Sequence, residues 1–131
     1  MRYLLKYIRM AGGSEDLTPE QWQAAVGPWK EFDQELIGAG AFVAGDALQP
    51  SDTATTVRLS ESGETVTDGP FAETKEQLGG FHLLECADLD EALAWAKKVP
   101  MEPGGAVEVT PVVDLARFGY PDPYEAAAAS R

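Results

Sequence analysis

The fifteen residues from Thr67 to Phe81, TDGPFAETKEQLGGF, join a tight turn, a charged cluster and a glycine pair. Gly69 can adopt a positive φ, whereas Pro70 fixes its own φ and lacks a backbone donor, so this part of the run predicts a rigid turn. Three charged residues then stand just before an apolar strand, where a plain connector would suffice: Glu73, Lys75 and Glu76. The stretch is therefore the first guide to the fold and the first place to look for a site.

The same run resembles the signature of a known family. Asp68-Gly69-Pro70-Phe71, followed by AETKE at 72–76 and LGGF at 78–81, is similar to the DGPF branch of the YCII-related family. The similarity covers nearly the whole chain, from YLL at 3–5 to VEV at 107–109. This resemblance implies a dimeric α+β barrel, but it implies no particular reaction.

Periodicity on either side of this run predicts four core strands, two helices and a hairpin. The predicted segments are strands at 3–9, 41–48, 81–87 and 106–113, a hairpin of 55–60 and 64–67, and helices opening at Thr18 and Asp88. Residues 11–17 are a predicted loop, and Pro28 predicts a kink or a break in the first helix because proline cannot donate to the preceding turn. Without the hairpin, the order is the βαββαβ pattern of a ferredoxin-like fold in the α+β class.

Two helices cover only one face of an antiparallel sheet. The other face carries apolar residues, and the simplest cover is the same face of a second copy. The sequence therefore predicts a homodimer. It also predicts one domain at residues 1–113, the YCII-related/DGPF domain, and a C-terminal extension at 114–131 that docks on this domain or on the dimer partner. Phe118, Tyr120 and Tyr124 are too apolar for a free tail.

The composition limits the class of partner. Acidic residues outnumber basic ones by 22 to 10, which gives a formal net charge of −12 with the acid excess in both halves. Without a basic stripe, a nucleic-acid partner and an anionic membrane surface are both disfavoured. There is no run of about 20 apolar residues for a membrane span. The single cysteine, Cys86, is expected to be a buried thiol and fits a reducing cytoplasm.

Asp68 is the candidate catalytic residue. In the functional interpretation it is a general base, or an anchor for a polar ligand, held rigidly by the turn that follows it. In the structural interpretation its carboxylate binds nearby backbone amides. The same two alternatives hold for Glu73, Lys75 and Glu76, which either bind substrate or form a solvated ion-pair loop.

Arg58 is a further candidate for substrate binding, or else a cross-strand partner on a half-exposed strand. The family often has an arginine where Thr110 stands, so one positive contact is absent here. His82 is the single histidine, and its alternating set is Gly80, Leu84 and Cys86, which favours a core or interface role. The family usually has an aromatic residue at this position. Wider relatives are suspected of using a His–Asp pair at other positions, to which His82 does not correspond.

Two functional hypotheses follow. In the first, a small organic molecule binds in a pocket beside the Asp68 loop and undergoes lyase- or isomerase-type acid–base chemistry, with no cofactor or metal required. The second hypothesis is a non-catalytic regulatory or protein-interaction module. The resemblance implies it, because genes of DGPF proteins often lie beside those of extracytoplasmic-function sigma factors.

Overall fold

The fold was described from a computed structural model, which covers residues 1–10 and 17–130. The predicted loop at 11–17 lies almost entirely outside these residues. The strands are β1 (Arg2–Met10), β2 (Phe42–Ala47), β3 (Thr55–Ser60), β4 (Gly63–Asp68), β5 (Glu76–Glu85) and β6 (Ala106–Pro111), and the helices are α1 (Pro19–Gly38), α2 (Leu89–Lys98) and α3 (Pro123–Ala129). Two short 3₁₀ turns, Ser51–Thr53 and Leu115–Phe118, complete the described elements.

Four strands form an antiparallel sheet in the order β2-β5-β1-β6. With the hairpin set aside, this is the strand order of a ferredoxin-like fold, so the predicted α+β ferredoxin-like class is confirmed. Strands β3 and β4 form a separate two-stranded sheet, in which Val57 lies opposite Val66. The hairpin is therefore an insertion beside the sheet rather than part of it.

The core lies between the sheet and its helices. Side chains at Tyr3, Leu5 and Tyr7 point to one face of the central strand β1 and are buried, whereas the intervening residues are only partly buried. Leu36 of α1 and Leu84 of β5 are fully buried against them. Burying an aliphatic side chain of this size contributes about 1.5–3 kcal/mol. The alternation in β1 thus fixes which face of the sheet receives the helices.

The glycine pair at 79–80 marks an irregularity in the sheet. Tyr7 pairs with Gly80, but the next residue, Ile8, pairs with Leu78, so β5 carries one extra residue at this point. A Cβ on Gly80 would lie 2.9 Å from the backbone oxygen of Asp46 in β2. The pair therefore accommodates both a bulge and a close strand–strand approach.

Helix α1 opens as its sequence predicts. Thr18 Oγ1 accepts a hydrogen bond from the backbone amide of Gln21 at 3.1 Å, and the Gln21 side chain accepts one from Thr18 N at 2.9 Å. This is a complete capping box. The helix then continues through Pro28 to Gly38, so a break does not occur there, and the alternative of a kink at Pro28 stays a prediction.

The chain after β6 returns toward the start of β1. Arg2 donates to both carboxylate oxygens of Asp122, at 3.0 and 2.6 Å, and its guanidinium lies 5.0 Å from the centre of the Tyr124 ring. Bidentate arginine–carboxylate pairs are among the stronger side-chain contacts. This pair links the two ends of the described chain, whereas the division at residue 113 stays a prediction.

Candidate functional site

The turn after β4 has the geometry that its sequence predicts. Gly69 has φ of +101°, which confirms the left-handed position. Its amide donates to Ala54 O at 2.6 Å, and its own carbonyl accepts from Thr56 Oγ1 at 2.7 Å. Farther along, Arg58 Nη2 donates to Phe71 O at 3.0 Å, and the guanidinium lies 4.6 Å from the Phe71 ring centre. The loop is thus bound to β3 at several points.

The sequence-predicted site residues do not converge in this chain. Asp68 lies opposite Thr55 on the hairpin, and Arg58 points to the other face of the same hairpin. All five predicted residues are exposed: Arg58, Asp68, Glu73, Lys75 and Glu76. Arg58 is directed at Phe71 rather than at a carboxylate. Their assignment as a site stays a prediction.

A cavity of about 330 Å³ lies beside this loop. Pro70 and Leu78 contribute to it from the loop side, and the segment from Leu48 to Ala54 contributes the rest. Its lining is mainly apolar, and it includes none of the five predicted residues. The cavity can therefore accept an apolar group next to the loop, with the charged side chains outside it.

A different set of ionisable residues does come together in the structure. His82 Nε2 lies 2.6 Å from Asp33 Oδ1, and His82 Nδ1 lies 2.5 Å from the hydroxyl oxygen of Tyr7. His82 is only 6% exposed, and Tyr7 is similarly buried. The Asp33 side chain, by contrast, is 44% exposed. We call these three residues the buried network, which runs from solvent at Asp33 to the core at Tyr7.

Three separate elements place these groups. Tyr7 comes from β1 and His82 from β5, whereas Asp33 follows the buried Phe32 on α1. Aromatic rings surround the imidazole, with the Phe32 and Phe42 ring centres at 5.5 and 5.8 Å. Packing on these sides restricts the ring, so its two nitrogens have defined partners.

Gly45 makes room for the histidine from β2. A Cβ at this position would lie 2.6 Å from His82 Cδ2 and 3.0 Å from the carbonyl oxygen of Phe81. Carbon atoms are not found this close without displacement of one group. A side chain at position 45 would therefore displace the imidazole or β2.

The protonation pattern follows from the partners. An ionised Asp33 can only accept, so a neutral His82 carries its proton on Nε2 and donates it to the carboxylate. His82 Nδ1 is then an acceptor, and Tyr7 donates its hydroxyl proton to it. Burial, with a smaller contribution from the negative charge of Asp33, raises the pKa of Tyr7 above its usual value of 10.0. Tyr7 therefore keeps its proton at neutral pH.

This arrangement can orient a carboxylate for proton transfer. A base, an imidazole that orients it and a third group that fixes the imidazole are the elements of an acid–base site. Sequence reasoning placed His82 in the core or an interface, and its burial agrees with a core position, but the partner Asp33 was missed. The available signal was weak: Asp33 adjoins the apolar stripe of α1, yet nothing local links it to a residue 49 positions away.

Cys86 is buried as a free thiol, as expected. Burial raises the pKa of this thiol to about 11, and nearby Glu91 acts in the same direction.

Within residues 1–10 and 17–130, no three histidine, cysteine or acidic side chains are grouped closely enough to hold a metal ion. Across the same residues, no helix combines the length and apolar character that a membrane crossing needs.

Comparison with known proteins places the chain in a family. The model of the YCII-related domain matches residues 2–116. An uncharacterised protein of Rhizobium meliloti (strain 1021) is 44% identical over 81 residues, which cover 60% of this chain and 65% of that protein. The match thus spans a little under two-thirds of the relative. Because the domain model covers all six strands and both larger helices, the chain belongs to the YCII-related domain family.

Proposed function

We propose that this chain binds a small organic molecule and removes a proton from it, as part of a lyase- or isomerase-type reaction. The observation that carries this proposal is the buried network, in which contacts of 2.6 and 2.5 Å link a solvent-facing carboxylate through His82 to a buried phenol. A general base needs an open side toward its substrate and a group that orients it. Asp33 meets both conditions.

The roles within the network differ. Asp33 accepts a proton from the carbon next to a carbonyl group, and the electrons of the broken C–H bond form the enolate. His82 is a positioning residue, because its Nε2–H holds one carboxylate oxygen. Tyr7 is also a positioning residue, since its hydroxyl holds the far side of the imidazole. The two positioning residues thus hold one oxygen of Asp33 in place and leave the other free for the substrate.

Deuterium exchange tests this proposal without knowledge of the final product. A panel of small ketones, aldehydes and carboxylic acids is first screened by thermal shift. The compounds that bind are then incubated with the protein in D₂O, and loss of the α-proton signal is followed by NMR. Asp33→Asn should abolish exchange, because the amide keeps the shape of the carboxylate but is no longer a base. We expect a fall of at least about 100-fold, the usual contribution of a general base.

Two variants serve as controls. Glu35→Gln removes a half-exposed carboxylate from the same helix, where it pairs with Lys98 at 3.0 Å, and should leave exchange unchanged. Asp68→Asn should likewise leave it unchanged. Equal exchange in Asp33→Asn and wild type would remove Asp33 from the reaction. Loss of exchange in Asp68→Asn alone would instead place the reaction at the loop.

The Asp68 loop is the second candidate for the same chemistry, and the cavity beside it favours this alternative. In this version the apolar part of the substrate lies against Pro70 and Leu78. Asp68 is then the base, and Arg58, Glu73, Lys75 and Glu76 bind the polar part of the substrate. This requires the loop side chains to turn toward the cavity when a ligand binds. Asp68→Asn would then lose both thermal shift and exchange.

A homodimer is part of the proposal. The exposed hairpin face carries Val57, Leu59 and Val66, and Leu59 is 80% exposed. Two-stranded hairpins are marginally stable alone, so an apolar face of this kind favours contact with a second chain. The sheet face around Lys6 and Ile8 is likewise only partly buried. A second copy that covers these surfaces would form the dimeric α+β barrel.

Sedimentation at micromolar concentration tests the dimer, and a stable folded monomer would contradict it. The rival proposal is a non-catalytic module linked to an extracytoplasmic-function sigma factor. It predicts that no compound shows exchange and that another protein covers the hairpin face.

We also propose a cytoplasmic location, on the basis of the buried free thiol of Cys86, which suits a reducing compartment.

A further inference from the structure

The hairpin of β3 and β4 has an apolar face that is open to solvent. Every residue of the two strands is exposed except Thr56, which is partly buried. Val57 lies opposite Val66, and Leu59 lies on the same face because side chains alternate along a strand. Leu59 is 80% exposed. An exposed apolar face of this kind is typical of a surface that contacts another chain.

A second surface of the same character lies at the C-terminal tail. The tail and the sheet face opposite the helices form a cleft of about 490 Å³. Phe81 of the sheet lines it on one side, and Leu115 and Tyr120 of the tail line it on the other. Tyr120 is 55% exposed, and Phe118, which is close to it in the chain, is 77% exposed. Because Phe81 pairs with Lys6, this cleft is continuous with the sheet face that we assign to a second copy.

The hairpin and the cleft lie at opposite ends of the sheet. The hairpin leads into Glu76, which pairs with Met10 at one end of β1, whereas the cleft lies at the other end, where Arg2 pairs with Glu85. These ends are roughly 25–30 Å apart, because β1 has nine residues and a strand rises about 3.3 Å per residue. None of residues 55–68, all of which the structure describes, lines the cleft. The hairpin of the same chain therefore does not fill it.

A twofold axis can bring these two surfaces together. In a symmetric dimer, each contact from one copy to the other occurs twice, with the roles of the copies exchanged. When two sheets pack face to face about a twofold axis that runs across the strands, each end of one sheet lies over the opposite end of the other. The hairpin end of each copy then lies over the cleft end of its partner.

The charges of the two surfaces are complementary. The tip of the hairpin carries Glu61 and Glu64, and both are exposed. Arg58, the one cation in residues 55–68, lies on the other face and donates to a backbone carbonyl oxygen at 3.0 Å. On the tail, Arg117 is exposed and forms no ion pair with any residue in 1–10 or 17–130. Asp114, three residues earlier, would repel the hairpin acids, so the attraction centres on Arg117.

We propose that, in the homodimer, the hairpin of each copy docks in the tail cleft of its partner. This inference rests on the homodimer proposed above and names the surfaces that form it. The apolar hairpin face, with Leu59, packs against the partner's Leu115 and the partner's Tyr120. Glu64 lies opposite Leu59 on this face, so it is the acid that pairs with the partner's Arg117. Each copy thus completes the cleft of the other.

Charge reversal tests the pairing in the full chain, with the dimer dissociation constant measured by sedimentation equilibrium. Glu64→Lys and Arg117→Glu each bring like charges together at both contacts. Each should raise the dissociation constant about tenfold, since an exposed pair contributes little alone but occurs twice. Lys97→Glu is the control for Arg117→Glu, because it changes the net charge equally at an exposed position of α2, and it should have no such effect. Glu64→Lys lowers the net negative charge, which by itself would tighten the dimer.

A mixture of the two variants tests whether the contact joins separate copies. In a dimer of one Glu64→Lys chain and one Arg117→Glu chain, both contacts again join opposite charges. The mixture should therefore dimerise with a dissociation constant within about threefold of wild type, although each variant alone is weak. A contact within one chain would not be restored, because each chain keeps its own mismatch. Leu59→Asp puts a charge in the apolar contact, so it should weaken the dimer in either mixture as well as alone.

Three results would overturn the proposal. The first is a dissociation constant that neither charge reversal changes, because the dimer would then use other surfaces. The second is a mixture that associates no more strongly than its separate components. The third is a monomeric wild-type protein at micromolar concentration, which would remove the homodimer as well. The first two results leave the homodimer standing, so the two proposals can fail separately, and none of the three concerns proton exchange at Asp33.

Discussion

The Asp68 loop and the buried network are both groups of ionisable side chains, but they differ in their exposure and in their contacts with one another. The loop places its charges within nine consecutive residues, and all of them are exposed. The buried network draws one group each from β1, α1 and β5 and bonds them to one another at 2.6 Å or less. The charged cluster that stands out in the sequence is therefore not the group whose side chains bond to one another in the structure.

This difference has energetic consequences. Removing an exposed charge changes the free energy of unfolding little, because water solvates that charge in both the folded and the unfolded states. A buried polar group leaves its partner without a hydrogen bond when it is removed, and that costs about 1–3 kcal/mol. Substitutions should thus affect folding strongly at His82 and weakly at Asp68, whether the buried network or the loop binds the substrate.

The largest effect is expected for His82→Phe, which keeps an aromatic ring but removes both ring nitrogens. The Tyr7 hydroxyl then has no acceptor in the core, and the free energy of unfolding should fall by about 2–3 kcal/mol. Urea unfolding measures this change. The double variant Tyr7→Phe/His82→Phe removes both partners and should recover part of the loss. The hydrogen bond would be contradicted if the double variant lost as much free energy of unfolding as the two single variants lose together.

The burial of Tyr7 should also give a distinct pH dependence. In the unfolded chain the Tyr7 phenol ionises near pH 10, whereas in the folded chain its raised pKa keeps the proton to higher pH. Above about pH 10 the unfolded state therefore binds fewer protons than the folded state, and stability falls as pH rises. Tyr7→Phe should show a shallower alkaline loss than wild type. Cys86 titrates in both proteins, so the difference reports Tyr7 alone.

Gly45→Ala should have an intermediate effect. The new methyl group would lie 2.6 Å from His82 Cδ2, so the imidazole or β2 must move. Overpacking of this kind costs about 1–3 kcal/mol. Gly38→Ala is a control, because no atom lies within 4 Å of a Cβ at that position. An equal change in both variants would argue against close packing at His82.

A smaller loss is expected at the turn, where Gly69→Ala puts a side chain on a residue with φ of +101°. We expect a cost of about 1–2 kcal/mol, since no other atom crowds the position and only backbone strain opposes the change. Thermal unfolding measures it. A midpoint equal to that of wild type would show that the turn tolerates another conformation.

The smallest effects are expected for Asp68→Asn and Lys75→Gln. Both side chains are exposed, so each change should alter the free energy of unfolding by less than about 0.5 kcal/mol. A loss above about 1 kcal/mol in either would show that the loop charges have partners in the folded protein. The contrast with His82→Phe would then disappear.

Local patterns in the sequence were sufficient for most of the fold. The first strand and the helix start at Thr18 depend on neighbouring residues, and both appear where they were predicted, as β1 and as a capped α1. Strand β5 begins five residues earlier than the predicted start at Phe81, because the glycine bulge extends the pairing to Met10 and Glu76. A bulge depends on the partner strand, which a one-strand pattern does not describe.

The candidate site was harder to predict for the same reason. Gly69 and its turn are local, so its positive φ followed from the sequence. The contact of His82 with Asp33 depends on how α1 lies across the sheet, and the contact with Tyr7 depends on the strand order β5-β1. No short-range spacing encodes either relation. Burial of His82 could be predicted, but its partners could not.

The position of β1 at the centre of the sheet has a consequence for synthesis on the ribosome. Leu5 pairs with His82 on one side and with Val109 on the other, so neither partner exists until most of the chain has been made. Contacts this distant along the chain form slowly and leave apolar segments exposed in the meantime. During translation β1 cannot complete its pairing until β6 has been synthesised. A chain arrested before β6 would expose Tyr3, Leu5 and Tyr7 to chaperones or to other nascent chains.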